Sequence, residues 1–346
     1  MRRALGALAF VAAVPAAACT TFCVRGPEGL VFGRNYDYAF GEGMVLVNAR
    51  GVDKVSLLER NQARWTSKYG SVTFNQYGRD NPMGGVNERG FVVELMEMQD
   101  TKYPAPDSRP QLGSLEWIQY LLDGFGSVDE ALAGAKRVRI GTNTPLHFLL
   151  ADASGDTAVV EFLHGRMIVR RGETLPARVL ANTPYDEDLD YASKSPMQGA
   201  LPRGLEGSRE RFARASRSVK AFESNPGSSA VDRSFEILDE VAQPGHTQWQ
   251  VVYDLPRATI HYRTTTNRER RKIGYASLEY TCKAFAMLDV DTGKGDVTRA
   301  FLPYAPEANL HQMLLAFGKS PDIRMPPQAV RADAAQLEST RRCAAG

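Results

Sequence analysis

This chain has almost no excess charge of either sign. It carries 42 lysines and arginines against 40 aspartates and glutamates, a formal net charge of +2. A nucleic-acid-binding role or attraction to an anionic membrane surface therefore has no support from charge. Cysteine is scarce: there are 4 in 346 residues, Cys19, Cys23, Cys282 and Cys343, and their spacings fit no metal-site pattern. The histidines (His147, His164, His246, His261 and His311) form no close ligand pair. There is no Gly-x-Ser-x-Gly elbow and no phosphate-binding glycine loop; Gly41-Glu42-Gly43 is too short to count. A papain-like Cys–His dyad has no local signature. Beyond residue 18 no apolar run reaches the roughly 20 residues that span a bilayer. Internal repeats and clear linkers are also missing. The remaining composition is that of an ordinary globular protein, long enough for one large domain or two average ones.

Residues 1–18 do have a pattern. Arg2 and Arg3 precede the apolar run Ala4–Val14, and Ala16-Ala17-Ala18 gives a small-x-small cleavage site. These are the three parts of an export signal, so the protein is expected to be periplasmic or secreted, without stable membrane association. Cleavage after Ala18 leaves a chain that starts on Cys19, with a thiol and a free α-amine on one residue. The amine has a reference pKa near 8, so it is able to take the thiol proton near neutral pH. The same cysteine also suits a lipid anchor, which would make the chain a lipoprotein or binding protein. Against lipidation, Ala16 stands where a lipid signal carries a leucine-like residue, and a strand pattern begins directly after Cys19. Both readings stay open at this point. Cys282 and Cys343 are candidates for a disulfide, which export permits.

Thr20–Arg25 and Leu30–Tyr38 read as a hairpin around Gly26-Pro27-Glu28-Gly29. A four-residue loop sets Arg25 opposite Leu30, Thr21 opposite Arg34 and Cys19 opposite Tyr36. Arg34 is then a same-face diagonal neighbour of Cys19. Alternation points Asp37 to the other face, so a bulge or a strand end near Tyr36 is expected. Further strands are expected at 44–48, 55–58, 91–98, 145–151, 158–163, 167–170, 178–181, 248–254, 259–264 and 280–290. Helices are expected at 115–122, from Ser127 with Glu130 as a capping box, at 210–222 and at 234–241. Residues 183–208 read as a long loop, and 326–346 as a polar tail behind a domain spanning 19–325. The fold class is α+β, with layered sheets and helices.

Five residues carry the chemistry. Cys19 is the nucleophile candidate. Arg34 and Asp37, in Gly33-Arg34-Asn35-Tyr36-Asp37, reach it through the hairpin: the arginine favours a thiolate, and the aspartate holds and orients an amine. Most Arg-x-x-Asp pairs are surface ion pairs worth little. Asn182, at a strand end, is placed to donate to an oxyanion, although a turn-capping asparagine is the commoner role there. Arg211 shares a helix face with Phe212 and Ala215, where most arginines are simply solvated.

Taken in order, Cys19-Thr20-Thr21-Phe22, Phe32–Asp37, Gly85–Gly90, Leu146–Phe148 through Val159–Glu161, Leu180–Pro184, Arg211–Arg214 and Thr247–Trp249 through Tyr262–Thr264 resemble the choloylglycine hydrolase family. That family includes bile salt hydrolases and penicillin V acylases, within the cysteine N-terminal nucleophile amidases. The resemblance implies a four-layer αββα fold and hydrolysis of a linear amide in a small-molecule N-acyl substrate. It implies no cofactor and no metal, and by analogy a homo-oligomer. It assigns active-site roles to Cys19, Arg34, Asp37 and Arg211, with Asn182 as an oxyanion donor. The second oxyanion position, where the family usually has Asn or Tyr, falls on Glu97. The donor there would be the Glu97 backbone N–H, and a carboxylate alters the charge of the pocket.

Overall fold

The computed structural model describes residues 19–196, 199–202, 204–227 and 229–344; the segment 1–18 read as an export signal lies outside them. Strand β1 (Thr20–Gly26) begins one residue after Cys19, and β2 (Gly29–Asp37) returns beside it. Arg25 faces Leu30 and Thr21 faces Arg34, as the short loop requires. Seven strands make one sheet, in the order Val179–Leu180, β1, β2, Thr247–Asp254, Thr259–Thr264, Arg271–Gly274 and Gly295–Asp296. Nine strands make the second, in the order Arg166–Arg171, Thr157–Leu163, Leu146–Ala151, Val92–Glu97, Pro82–Asn87, Ser71–Asn75, Met44–Asn48, Ala286–Asp289 and Leu302–Pro303.

Many central strands are buried along their whole length, such as Ser71–Asn75 and Leu146–Ala151. Burial of alternate residues on both faces means that each sheet is covered on both sides. Helices α1 (Ser114–Gly124) and α2 (Val128–Ala135) belong to the outer side of the nine-stranded sheet, where α1 packs on Pro82–Asn87 and Val92–Glu97. Helix α3 (Tyr185–Lys194) packs on α4 (Gly204–Ser224), and α4 and α5 (Ala230–Glu240) cover β1 and β2. The layers therefore run helix, sheet, sheet, helix, which is the expected αββα arrangement within an α+β fold. Local signals start the helices: the Ser127 hydroxyl accepts the Glu130 N–H at 3.3 Å, and Ser229 caps α5 in the same way. In α4, Phe212, Ala215, Val219 and Phe222 form the buried stripe that their spacing predicts.

Four expectations change. The strand expected at 55–58 lies earlier, at Val52–Val55. Residues 183–208 are not one long loop, because α3 occupies 185–194. Only Tyr185 and Asp188 of α3 are buried, too few for an apolar period; Asp186, Glu187 and Asp188 in its first turn suit the helix dipole instead. The late strand is shorter than expected, Ala286–Asp289. The segment read as a tail is folded: α7 (Pro327–Thr340) packs on α6 (Pro306–Lys319), burying Val330, Ala334 and Leu337. After it, Arg342–Cys343 pairs with Val52–Val55, and Cys343 is disulfide-bonded to Cys282 with Cα atoms 5.7 Å apart.

This bridge closes a loop across a sequence separation of 61 residues. Chain entropy alone assigns it up to about 4 kcal/mol. Reduction is expected to lower the melting temperature by several degrees. A Cys282→Ser/Cys343→Ser chain should start from the lower value and show no further response to reductant.

Candidate active site

Cys19 sits at the start of β1 and is 1% exposed. Its Sγ points at the Asp37 carbonyl oxygen, 3.9 Å away. Strand β2 ends at Asp37, one residue after Tyr36, so of the two expected forms, a bulge or a strand end near Tyr36, it is the strand end that β2 shows. The irregularity lies on the facing strand: Thr247 pairs with Asp37 and Trp249 with Tyr36, leaving Gln248 as the extra residue. A bulge in the neighbour twists the strand end without interrupting β2, and both Arg34 and Asp37 act electrostatically on the Cys19 sulfur.

Burial pushes the Cys19 thiol above its ordinary range; the Arg34 charge opposes this and Asp37 adds to it. A thiol in this setting keeps its proton at neutral pH and needs a base within reach. Burial also raises the Asp37 carboxyl, against the Arg211 charge and hydrogen bonds from Thr247 and Gln243. Gln243 Nε2 donates to Asp37 Oδ2 at 2.7 Å. Among the described residues, the other oxygen, Oδ1, is buried and accepts no hydrogen bond. Such an orphan acceptor is costly.

Asn182 follows the short strand Val179–Leu180 that pairs with β1. Its Oδ1 accepts from Arg211 Nη2 at 2.9 Å, and its Nδ2 donates to the Glu97 carbonyl at 2.8 Å. Arg211 Nε donates to the Thr20 hydroxyl at 3.0 Å. Arg211 is therefore a buried link from the residue beside Cys19 to the Asn182 amide, not a solvated helix arginine. Glu97 ends its strand opposite Leu146. The next residue, Met98, donates its N–H to the Pro145 carbonyl at 2.9 Å. Antiparallel ladders alternate, so the Glu97 N–H turns away from that neighbour. The structure thus brings Cys19, Arg34, Asp37, Asn182, Arg211 and Glu97 to one end of the two sheets.

Other residues belong to this region that sequence reading did not single out. Gln243 fixes Asp37, and Thr20 receives Arg211. His147 Nε2 lies 2.8 Å from the Ala181 carbonyl, bracing the residue before Asn182. Glu94 pairs with Arg34, and Tyr253 donates to Glu94. A carboxylate in the middle of the apolar run Phe91–Met98, which also holds Glu97 near its end, was the available signal for Glu94, since a buried charge requires a partner. Among the described residues, no group of three or more His, Cys, Asp or Glu side chains is arranged to hold a metal ion. No described helix is long and apolar enough to cross a membrane.

A family model described as linear amide C–N hydrolases, choloylglycine hydrolase family, matches residues 19–194. Over 182 residues the chain is 31% identical to a penicillin V acylase of Pectobacterium atrosepticum, covering 46% of this chain and 48% of that protein. Over 161 residues it is 26% identical to a bile salt hydrolase/transferase of Clostridium perfringens, covering 41% and 47%. The chain thus spans about half the length of the curated relatives it matches. Among solved structures, penicillin V acylase from Agrobacterium tumefaciens superposes with a TM-score of 0.72 at 27% identity, covering 83% of this chain and 98% of that one. A conjugated bile acid hydrolase from Clostridium perfringens shares the fold with a TM-score of 0.63 at 20% identity, covering 80% and 98%.

Proposed function

The chain belongs to the choloylglycine hydrolase family of linear amide C–N hydrolases, and on that footing we propose that it is an exported acylase that cleaves small N-acyl amides with Cys19 as its N-terminal nucleophile. The observation that carries this reading is the buried Cys19 sulfur beside Arg34 and Asp37, with an Asn182 amide held by Arg211. Removal of residues 1–18 frees the α-amine, which takes the thiol proton. Asp37 orients that amine, and Arg34 offsets the cost of a buried thiolate. Sulfur attacks the amide carbonyl. The oxyanion is received by the Asn182 amide and the Glu97 backbone N–H; one such donor is typically worth about 10²–10³ in kcat. The ammonium returns its proton to the leaving amine as the C–N bond breaks, and water then hydrolyses the thioester.

The Cys282–Cys343 bridge fits an oxidising compartment, and so a periplasmic or secreted protein. The rival reading, a lipid-anchored binding protein, requires a diacylglyceryl group on a sulfur that is 1% exposed. An intact mass matching unmodified Cys19 excludes it. The direct test compares a chain starting at Cys19 with the same chain carrying one extra residue before it, on penicillin V, conjugated bile salts and N-acyl homoserine lactones. Release of the amine from at least one of these by the first chain only is expected. Equal turnover by both chains, or none by the first, overturns the proposal.

A further inference from the structure

Paired with Arg34 is a buried carboxylate that the mechanism above does not use. Arg34 and Glu94 are each 1% exposed and form an ion pair through Arg34 Nη1 and Glu94 Oε2. The same Nη1 donates to the Met83 carbonyl at 2.6 Å. Tyr253 donates its hydroxyl to Glu94 Oε1 at 2.5 Å. Both carboxylate oxygens are thus engaged, by side chains from two strands of the opposite sheet: Arg34 on β2 and Tyr253 on Thr247–Asp254. The space for the carboxylate comes from Gly84, which is paired with Glu94. A Cβ on Gly84 would lie 1.9 Å from a Glu94 carboxylate oxygen, and the φ of +157° there disfavours other residues as well. The other edge of the guanidinium is different: among the described residues, Nε and Nη2 of Arg34 are buried with no oxygen or nitrogen as a hydrogen-bond partner. The remaining groups around Arg34 are Cys19 and Tyr36, whose ring lies 5.0 Å from its Cζ.

A buried ion pair is a poor way to add stability, because apolar residues of the same size often pack as well or better. Here the pair crosses the interface between the sheets and ends on the nucleophile. We propose that Glu94 is a positioning residue that fixes the Arg34 guanidinium and partly cancels the positive charge it presents to the Cys19 sulfur, so that the Glu94 carboxylate sets the acidity of that thiol. Burial raises the Glu94 carboxyl to about 7 despite Arg34 and the Tyr253 hydrogen bond, so this charge changes close to neutral pH. The charged and titratable groups facing the unit are Arg34 and Tyr253 on Glu94, Cys19, Tyr36 and Tyr253 on Arg34, and Asp37, Arg211 and Tyr36 on Cys19.

The inference rests on Cys19 as the reacting thiol, but its test does not require turnover. In the mature chain, the pH dependence of Cys19 alkylation by iodoacetamide is followed by mass spectrometry of the N-terminal peptide. Glu94→Gln keeps the shape and removes the charge, leaving Arg34 unopposed. Its midpoint should fall by about one pH unit, the scale of an opposite charge within a few ångström. Glu94→Asp, which keeps the charge, should restore most of the original midpoint. Should Glu94→Gln fail to fold, Tyr253→Phe removes one carboxylate hydrogen bond and should lower the midpoint by a smaller amount. A midpoint that stays in place or rises in the folded variants overturns the proposal, whatever their melting temperatures. A shifted midpoint in a chain that hydrolyses no N-acyl amide would sink the acylase reading and leave this one standing. Full hydrolysis with an unmoved midpoint would do the reverse.

Discussion

Serine in place of Cys19, in a chain processed to the same first residue, is expected to lower kcat by at least roughly 10³-fold while leaving the fold intact. A hydroxyl is far less acidic than a thiol, whereas the α-amine has a reference pKa near 8. That amine is far closer to a thiol, even one whose ordinary value of 9.0 burial raises here against the opposing Arg34 charge. It is a poor match for an alcohol in the same cavity. Serine is slightly smaller than cysteine, and the sulfur is engaged only by the weak contact to the Asp37 carbonyl and by the Arg34 side chain among the described residues, so the melting temperature should barely move. Cys23 supplies the control. It is also buried, and burial drives its thiol far up, with Arg178, Glu223 and Arg25 as its charged neighbours and none of the site residues. Cys23→Ala should keep turnover within a few-fold of the parent. Turnover of the Cys19→Ser chain above a tenth of the parent value would remove Cys19 from the mechanism.

The contrast between the two cysteines shows what the sequence makes legible. The register of β1 against β2 follows from a short loop and strict alternation, and it alone places Arg34 near Cys19. Asn182 and Arg211 each stood in a short stretch with its own context, a strand end and a helix face. Glu94, Tyr253 and Gln243 had no such context. Their partners are distant in the chain: 60 residues separate Arg34 from Glu94, 159 separate Glu94 from Tyr253, and 206 separate Asp37 from Gln243. Stacking of the two sheets brings Glu94 to Arg34 and Tyr253, and pairing of β2 with the distant strand Thr247–Asp254 brings Gln243 to Asp37; neither leaves a periodic trace in sequence. Helices α3 and α7 were missed for a related reason. Each buries two or three side chains, so the apolar period that marks α4 is absent. They are held instead by the dipole at α3 and by packing on α6 for α7. Near Tyr36 a bulge or a strand end was expected from geometry; β2 ends one residue later, at Asp37, and the bulge lies in the facing strand, at Gln248.

Arg34→Met should be the most destabilising single change at the site, and it separates stability from chemistry. Methionine approximates the arginine stem, but it leaves Glu94 as a carboxylate at 1% exposure with Tyr253 as its remaining side-chain partner. Breaking one side of a buried ion pair costs about 3–5 kcal/mol, which denaturant unfolding would show as a lower midpoint. The sign of the pH dependence follows from the carboxyl. Burial already holds Glu94 at about 7 against an ordinary 4.5, and Arg34 is the first of the effects that pull it down. Without Arg34 it rises further, so the folded variant binds a proton more tightly than the unfolded chain. The protonated pair of Glu94 and Tyr253 is stable below about pH 4.5. That contribution is lost as pH rises through the folded-state value, at or above 7. The stability deficit of Arg34→Met should therefore be small near pH 5 and largest above pH 7. The double variant Arg34→Met/Glu94→Gln removes the unpaired charge and should recover most of the stability at pH 8. It should not recover turnover, because the Cys19 thiol would still lack the charge that offsets its burial. Recovery of both together would mean that Arg34 serves the fold alone.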